Sequence, residues 1–150
     1  RKITRALKYW NYFFALLKGK ILNKPFPLEA TLSVTNKCNI NCIYCYGNYP
    51  ERDLRDIPLK TILNLIDELI KKGLRFIHIS GGEALLRSDI DEILYYIKDK
   101  DIIVDLITNG VETKRFITLL KETVDFVCVA TELCGVWVFW FLLRQAKDTL

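Results

Sequence analysis

The first 24 residues of this 150-residue chain contain no acidic side chain, although seven basic side chains lie among them. Because the whole chain has 22 basic and 18 acidic residues, the remainder holds 15 basic against 18 acidic residues, a net charge of −3. The positive charge therefore belongs to the N-terminal segment, and the body of the chain is not expected to bind nucleic acid. A run of about 20 apolar residues, which a membrane-spanning helix needs, is also missing. The almost wholly apolar stretch 133–143 has only eleven residues.

Histidine is nearly absent, since His78 is the only one, whereas cysteine occurs five times. Three of the five cysteines, Cys38, Cys42 and Cys45, fall within eight residues. An odd number of cysteines with close clustering favours metal binding over a framework of disulfides. Thiolate ligands also imply a reducing compartment.

In the N-terminal segment, apolar residues recur at helical spacing with lysine and arginine between them. They are Ile3, Leu7, Trp10, Phe14, Leu17 and Ile21. This pattern predicts a basic amphipathic helix, which Pro25 and Pro27 end, so that residues 1–27 form a helix and linker. The helix either covers one end of the core or lies on a partner or an anionic membrane surface. Asn11 and the charges interrupt the apolar run that a signal peptide needs, so we expect a cytoplasmic protein, with peripheral membrane contact through residues 1–24 as a further hypothesis.

Residues 28–130 alternate between strand and helix. The predicted strands lie at 30–35, 75–80, 102–108 and 124–130. The helices between them begin at Pro58, at an N-cap on Ser88, and near Phe116. Repeated strand–helix units with apolar strands predict an α/β fold with a parallel sheet or barrel and helices outside. Since a full βα barrel needs eight strands and about 250 residues, four βα units predict a partial barrel.

The segment 131–150 differs in character from the rest. Its apolar run 133–143 fits no clean period. It is a divergent tail, an artefact of truncation or reading frame, or an interface for a missing partner, and the sequence leaves these alternatives open. Because the chain begins with Arg1 rather than Met, we expect it to be a piece of a longer protein.

The clustered cysteines have the spacing C-x₃-C-x₂-C directly after the first predicted strand. This is the end of the strand at which βα folds place their active sites. An iron–sulfur cube takes four thiolates, so three would leave one iron open to bind a small molecule. A Cys₃His zinc site would need His78, which is predicted in mid-strand and is poorly placed for a loop site. A ferredoxin-like cluster would need a fourth nearby cysteine, whereas Cys128 and Cys134 are remote and are predicted to be small buried residues.

With Tyr44 in the position before the third cysteine, the segment resembles the signature of the radical S-adenosylmethionine (radical SAM) family, C-x₃-C-x-aromatic-C. The resemblance implies a partial (β/α)₆ barrel and a [4Fe–4S] cluster held by Cys38, Cys42 and Cys45. It also implies that the open iron chelates S-adenosylmethionine. An electron from a reductant such as a ferredoxin or flavodoxin would then yield methionine and a 5′-deoxyadenosyl radical, which abstracts hydrogen from a substrate that the sequence does not identify.

Two further motifs agree with the resemblance. Gly81-Gly82-Glu83 follows the second predicted strand, where the family's glycine-rich motif holds the amino group of the methionine moiety, although Ala84 replaces the usual proline. Two glycines let the backbone approach a ligand closely, and a carboxylate accepts hydrogen bonds from an ammonium group. Asn109 lies in a Thr-Asn-Gly segment that ends the third strand, where it is either a cofactor contact or part of a turn with positive φ.

The strands also carry two polar residues whose role is open. Asp105 lies between apolar neighbours, where a carboxylate is costly unless it is paired, and it is predicted to point into the barrel. His78 shares the strand face of Ser80 and is either a hydrogen-bonded core residue or a substrate contact. The resemblance covers residues 28–130, and the family's fifth and sixth strands are not recognisable. A catalytically incomplete cluster-binding or interaction module is therefore the alternative to an enzyme.

Overall fold

A computed structural model describes residues 2–22, 26–42, 45, 55–130 and 137–140, with the backbone alone described for 2–5 and 137–140. A 3₁₀ turn over Ala84–Leu86 follows the second strand. The helices and strands, in chain order, are α1 Lys2–Leu22, β1 Glu29–Ser33, α2 Leu59–Lys71, β2 Phe76–Ser80, α3 Ile90–Lys98, β3 Ile103–Thr108, α4 Ile117–Thr123, β4 Phe126–Ala130 and β5 Trp137–Trp140. Each predicted element is present, and its ends differ from the prediction by a few residues at most.

The strands form one sheet in the order β1-β2-β3-β4-β5. The first four strands are parallel, with Ile77 opposite Val104 and Leu106 opposite Val127. Parallel neighbours need crossover connections, and helices α2, α3 and α4 supply them. The predicted α/β fold with four βα units is therefore confirmed.

Strand β5 was not predicted. It pairs antiparallel with β4, Trp137 lying opposite Ala130 and Trp140 opposite Val127. It could not be recognised in the sequence, because an apolar side chain at every position removes the two-residue alternation that identifies a strand.

The core lies between one face of the sheet and helices α2 to α4. Side chains alternate along a strand, so Ile77 and Ile79 of β2 share this face and are fully buried. Ile62 and Ile66 of α2 pack into the same cluster, and α3 contributes Ile93. Each of these helices packs its apolar face on the sheet. Because the first four strands are parallel, their carboxyl ends lie at one edge.

Helix α1 lies where the parallel strands begin, against the second face of the sheet. The rings of Tyr12 and Phe76 meet edge-on with their centroids 6.0 Å apart. The buried ammonium of Lys8 pairs with Asp125 at 3.3 Å. In the described part of the chain, no helix is long and apolar enough to cross a bilayer.

The predicted apolar stripe of α1 does not make these contacts. The side chain of Ile3 lies outside the described residues, and the other members are exposed, Trp10 by 61% and Ile21 by 78%, with Leu7, Phe14 and Leu17 also exposed. The helix does cover one edge of the sheet, but it does so with Lys8, Tyr9 and Tyr12. Periodicity located the apolar face correctly and did not show which face packs inward.

Candidate functional site

The cysteine loop begins directly after β1, at the carboxyl edge of the sheet. Cys38, Cys42 and Cys45 are half-buried, and none of the three is in a disulfide. The Cys45 amide donates to the Cys42 carbonyl at 3.1 Å, which links the second and third cysteines. Tyr44, predicted to assist cofactor binding, lies outside the described residues.

The two glycines after β2 pack against the backbone that leads into this loop. The Gly82 amide donates to the Thr35 carbonyl at 2.8 Å. A Cβ on Gly82 would lie 2.3 Å from the Lys37 carbonyl oxygen, and one on Gly81 would lie 2.6 Å from that of Thr35. Glycine is therefore required here because two segments of the chain itself approach closely. The predicted close approach of these glycines to a ligand stays a prediction.

Glu83 joins the ends of β2 and β3. It is only 1% exposed, and its Oε1 accepts hydrogen bonds from the Leu85 amide at 3.1 Å and the Thr108 hydroxyl at 2.9 Å. Its Oε2 accepts from the Asn109 amide at 2.7 Å. Three donors stabilise a buried carboxylate and offset the cost of removing it from water. The predicted contact of Glu83 with an ammonium group stays a prediction, and this bridge between strands is an additional role.

Asn109 connects the end of β3 to the cysteine loop. Its side-chain Nδ2 donates to Oδ1 of Asn39 at 2.7 Å and lies 3.9 Å from Sγ of Cys38. Its Oδ1 accepts from the Val111 amide at 3.0 Å. Gly110 has a φ of +87°, so the predicted turn with positive φ is confirmed. The structure thus brings Cys38, Glu83 and Asn109 into one connected group.

A second polar group lies at the base of the loop, and the sequence did not indicate it. Asp56 accepts from the Thr35 hydroxyl at 2.6 Å and from the Lys37 ammonium at 2.8 Å. Burial tends to raise the pKa of Asp56, but the hydrogen bonds from Lys37 and Thr35 outweigh it and hold that pKa below its ordinary value of 3.8. The ionised carboxylate therefore fastens the start of the cysteine loop.

Arg87 makes a further connection that the sequence did not indicate. Its buried guanidinium donates to the Val34 carbonyl at 2.7 Å and to the Ile57 carbonyl at 2.8 Å. Asp89 accepts from the same guanidinium through both carboxylate oxygens, at 2.6 and 3.0 Å. A guanidinium can make all of these bonds because it carries five donors in a rigid plane. Arg87 thereby holds the segments on either side of the cysteine loop together.

His78 and Asp105 form a separate pair in the middle of the sheet. Nδ1 of His78 lies 2.8 Å from Oδ2 of Asp105. Asp105 is buried, and its Oδ1 has no hydrogen-bond partner among the described residues. Cys128 is buried as predicted, and burial, aided by the charge of Asp105, raises the pKa of its thiol. His78 is thus paired with a buried carboxylate oxygen within the sheet, which favours the core interpretation of His78.

The donor set of the loop suits an iron–sulfur cluster. Thiolates are the ligands that such clusters take, and three lie on one loop that Asn109, Glu83 and Asp56 support. No three His, Cys, Asp or Glu side chains within the described ranges surround a single point that one metal ion could occupy. His78, the remaining ligand for a zinc site, is engaged with Asp105.

Comparison with known proteins supports the resemblance to the radical SAM family. The model of the Radical SAM superfamily matches residues 32–132. A probable GTP 3′,8-cyclase from Methanococcus maripaludis is 38% identical over 94 residues, which are 61% of this chain and 31% of the cyclase. The mycofactocin maturase MftC from Mycolicibacterium smegmatis is 30% identical over 109 residues, which are 73% of this chain and 28% of the maturase.

A solved structure has the same fold. Streptococcus suis SuiB, crystallised with the precursor peptide SuiA, superposes with a TM-score of 0.60 and 24% identity, over 73% of this chain and 25% of SuiB. The likeness confirms the predicted partial barrel. The chain spans less than a third of the length of each of these three proteins.

Proposed function

Since the chain belongs to the radical SAM superfamily, we propose that Cys38, Cys42 and Cys45 bind a [4Fe–4S] cluster in an enzyme that cleaves S-adenosylmethionine. When bound, such a cluster supplies the electron that splits S-adenosylmethionine into methionine and a 5′-deoxyadenosyl radical, which takes a hydrogen atom from the substrate. A small electron carrier such as a ferredoxin or flavodoxin is the proposed reductant. The substrate is not specified, because the related proteins carry names of different activities.

One observation carries this proposal. The loop that holds the three cysteines is docked by backbone hydrogen bonds on the Gly81–Glu83 segment, with the Glu83 amide donating to the Lys37 carbonyl at 2.7 Å. The two motifs that the resemblance identified therefore meet at one edge of the sheet. At that edge the chain's own residues hold the thiolates in place and limit their exposure to water.

The remaining residues of the site have positioning roles in this proposal. Asp56 and Arg87 hold the two ends of the loop, and neither touches a thiol in the described contacts. Gly81, Gly82, Glu83 and Asn109 are proposed to lie beside bound S-adenosylmethionine, next to the thiolates that bind the cluster. Tyr44 is proposed to assist from the same loop.

Product formation tests the proposal. The chain is reconstituted anaerobically with iron and sulfide, reduced with dithionite and incubated with S-adenosylmethionine, and 5′-deoxyadenosine is measured by mass spectrometry. We expect product from the parent chain and from Cys128→Ala, whose thiol is buried away from the loop, and none from Cys42→Ala. A colourless protein that binds zinc stoichiometrically would contradict the cluster itself. A bound cluster that yields no product would favour the alternative, a cluster-binding module without activity.

A second proposal concerns the exposed stripe on α1. Trp10, Phe14 and Leu17 lie on one side of the helix and face solvent, and Lys18 and Lys20 flank them. Apolar side chains bordered by lysines, with no acidic residue in the first 24 positions, match the surface of an anionic membrane. We propose that α1 makes peripheral contact with such a surface.

Sedimentation with vesicles tests this contact. The parent chain should sediment with vesicles that contain phosphatidylserine and should not do so with pure phosphatidylcholine. Trp10→Ser should reduce binding several-fold, whereas Leu65→Ser, which removes an exposed leucine from α2, should leave it unchanged. Equal binding to both kinds of vesicle, or no binding to either, would refute the contact. Dimer formation that only Trp10→Ser disrupts would assign the stripe to protein contact instead.

A further inference from the structure

We infer that Asn109 donates a hydrogen bond to the Cys38 thiolate of the bound cluster, and that Glu83 is the positioning residue that aims it. This inference rests on the proposed function and adds to it a determinant of the cluster's reduction potential. Asn109 follows β3 and Cys38 lies in the loop after β1, so the two residues are 71 positions apart in the chain.

The amide of Asn109 already points at the cysteine loop. Its Nδ2 lies 3.9 Å from Sγ of Cys38, within the range of an N–H···S hydrogen bond. Its other N–H donates to Oδ1 of Asn39 at 2.7 Å, on the residue next to that cysteine. The two protons of one amide therefore reach two neighbouring positions of the loop.

Glu83 fixes the backbone from which this side chain projects. Its Oε2 accepts from the Asn109 amide at 2.7 Å, and its Oε1 accepts from the Thr108 hydroxyl at 2.9 Å. That hydroxyl also accepts from the Gly110 amide at 3.1 Å. Because Oδ1 of Asn109 in turn accepts from the Val111 amide, both the backbone and the rotamer are restrained. The buried carboxylate of Glu83 thus orients the amide that faces the Cys38 thiol, although it does not contact that thiol itself.

The expected effect follows from charge. A reduced cluster carries one more negative charge than an oxidised one, and part of that charge lies on its sulfur atoms. A donor aimed at a cluster sulfur stabilises the reduced state more than the oxidised state and raises the reduction potential. Removing the donor should make the cluster harder to reduce.

A redox titration followed by electron paramagnetic resonance tests the inference, without S-adenosylmethionine so that its binding plays no part. We expect Asn109→Ala to lower the midpoint potential. Asn41→Ala, which removes an exposed amide from the same loop, should leave it unchanged. Glu83→Gln removes a buried negative charge, which by itself raises the potential, and it also loses the acceptor for the Asn109 amide. We therefore expect Glu83→Gln to raise the potential less in the parent chain than in Asn109→Ala, where no donor is left to misalign.

A second pair of variants guards against the case in which Asn109→Ala disrupts the turn that follows β3. Asn109→Asp keeps the acceptor for the Val111 amide, and it should lower the potential more than Asn41→Asp, which adds the same charge to the loop. Equal potentials across each matched pair, with full iron content, would overturn the inference and leave the proposed function standing. Loss of the cluster from both Asn109 variants would also overturn it, since Asn109 would then serve loop folding. Absence of a cluster from the parent chain would contradict the proposed function as well.

Discussion

Individual residues at the carboxyl edge of the sheet determine whether the cysteine loop can close. Gly82 is the clearest case, because its Cα lies against the carbonyl of Lys37. Its neighbour Glu83 donates its amide to that same carbonyl at 2.7 Å. Hydrogen bonds thus join the end of β2 directly to the loop, and a methyl group added at Gly82 would clash with the loop backbone.

Gly82→Ala should therefore separate the loop from β2. The new Cβ would lie 2.3 Å from a backbone oxygen, which cannot move aside as a flexible side chain can. We expect a loss of about 1–3 kcal/mol in the free energy of unfolding and a fall in iron bound after reconstitution. Urea unfolding and an iron assay measure the two effects. The neighbouring substitution Ser80→Ala adds no volume and serves as the control, so an equal loss in both variants would contradict the close-contact explanation.

Acidification tests the Asp56 group. Its pKa is lowered in the folded chain, so its contribution to stability is present at pH values above about 3.8, the ordinary pKa, and is lost as the pH falls through the lower folded value. Asp56→Asn should reduce the urea midpoint at neutral pH, and the difference from the parent chain should shrink below pH 4. A difference that stays constant between pH 7 and pH 2 would show that the charge of Asp56 plays no part.

The sequence could identify the residues of the site that belong to short motifs. The three cysteines, Gly81 to Glu83 and Asn109 were found because each motif follows a predicted strand. Asp56 and Arg87 could not be found, because the residues that they bind beside the cysteine loop are 19 to 53 residues away and only the folded chain brings them together. No local pattern records that kind of contact.

At the scale of elements, α1 was predicted correctly as an amphipathic helix, and the sequence left open what its apolar face covers. A hydrophobic period identifies an apolar stripe, but it does not say what covers that stripe. Here the sheet edge is covered by polar and aromatic side chains, and the hydroxyl of Tyr12 donates to the carboxylate of Glu29. That hydrogen bond, with burial and the negative charge of Glu29, raises the pKa of Tyr12 to about 12.

Tyr12→Phe should loosen α1 without changing the sheet. Below about pH 10, the ordinary pKa of tyrosine, the parent phenol keeps its proton and its hydrogen bond, and the amides of α1 should exchange faster in the variant at neutral pH. Because the folded pKa is raised, the advantage of the parent chain in urea midpoint should decline as the pH rises from 10 through 12. Exchange rates of the β2 amides are the internal control. Faster exchange throughout the chain would place the effect in global stability instead of the helix contact.

At the scale of the whole molecule, the order of strands and helices was enough to predict the fold class. Parallel strands need helical crossovers, and the three crossover helices were each visible as an apolar period. Strand β5 was missed, since it reverses direction in a segment that lacks alternation. The chain forms four parallel strands of a barrel and spans less than a third of its relatives.

The most direct test of the central claim is the electron paramagnetic resonance spectrum of the reconstituted, reduced chain, recorded before and after addition of S-adenosylmethionine. We expect about four irons per chain and a signal that changes when S-adenosylmethionine binds to the open iron. Cys42→Ala should have neither. A chain that binds zinc in place of iron, or a cluster signal that S-adenosylmethionine leaves unchanged, would contradict the account.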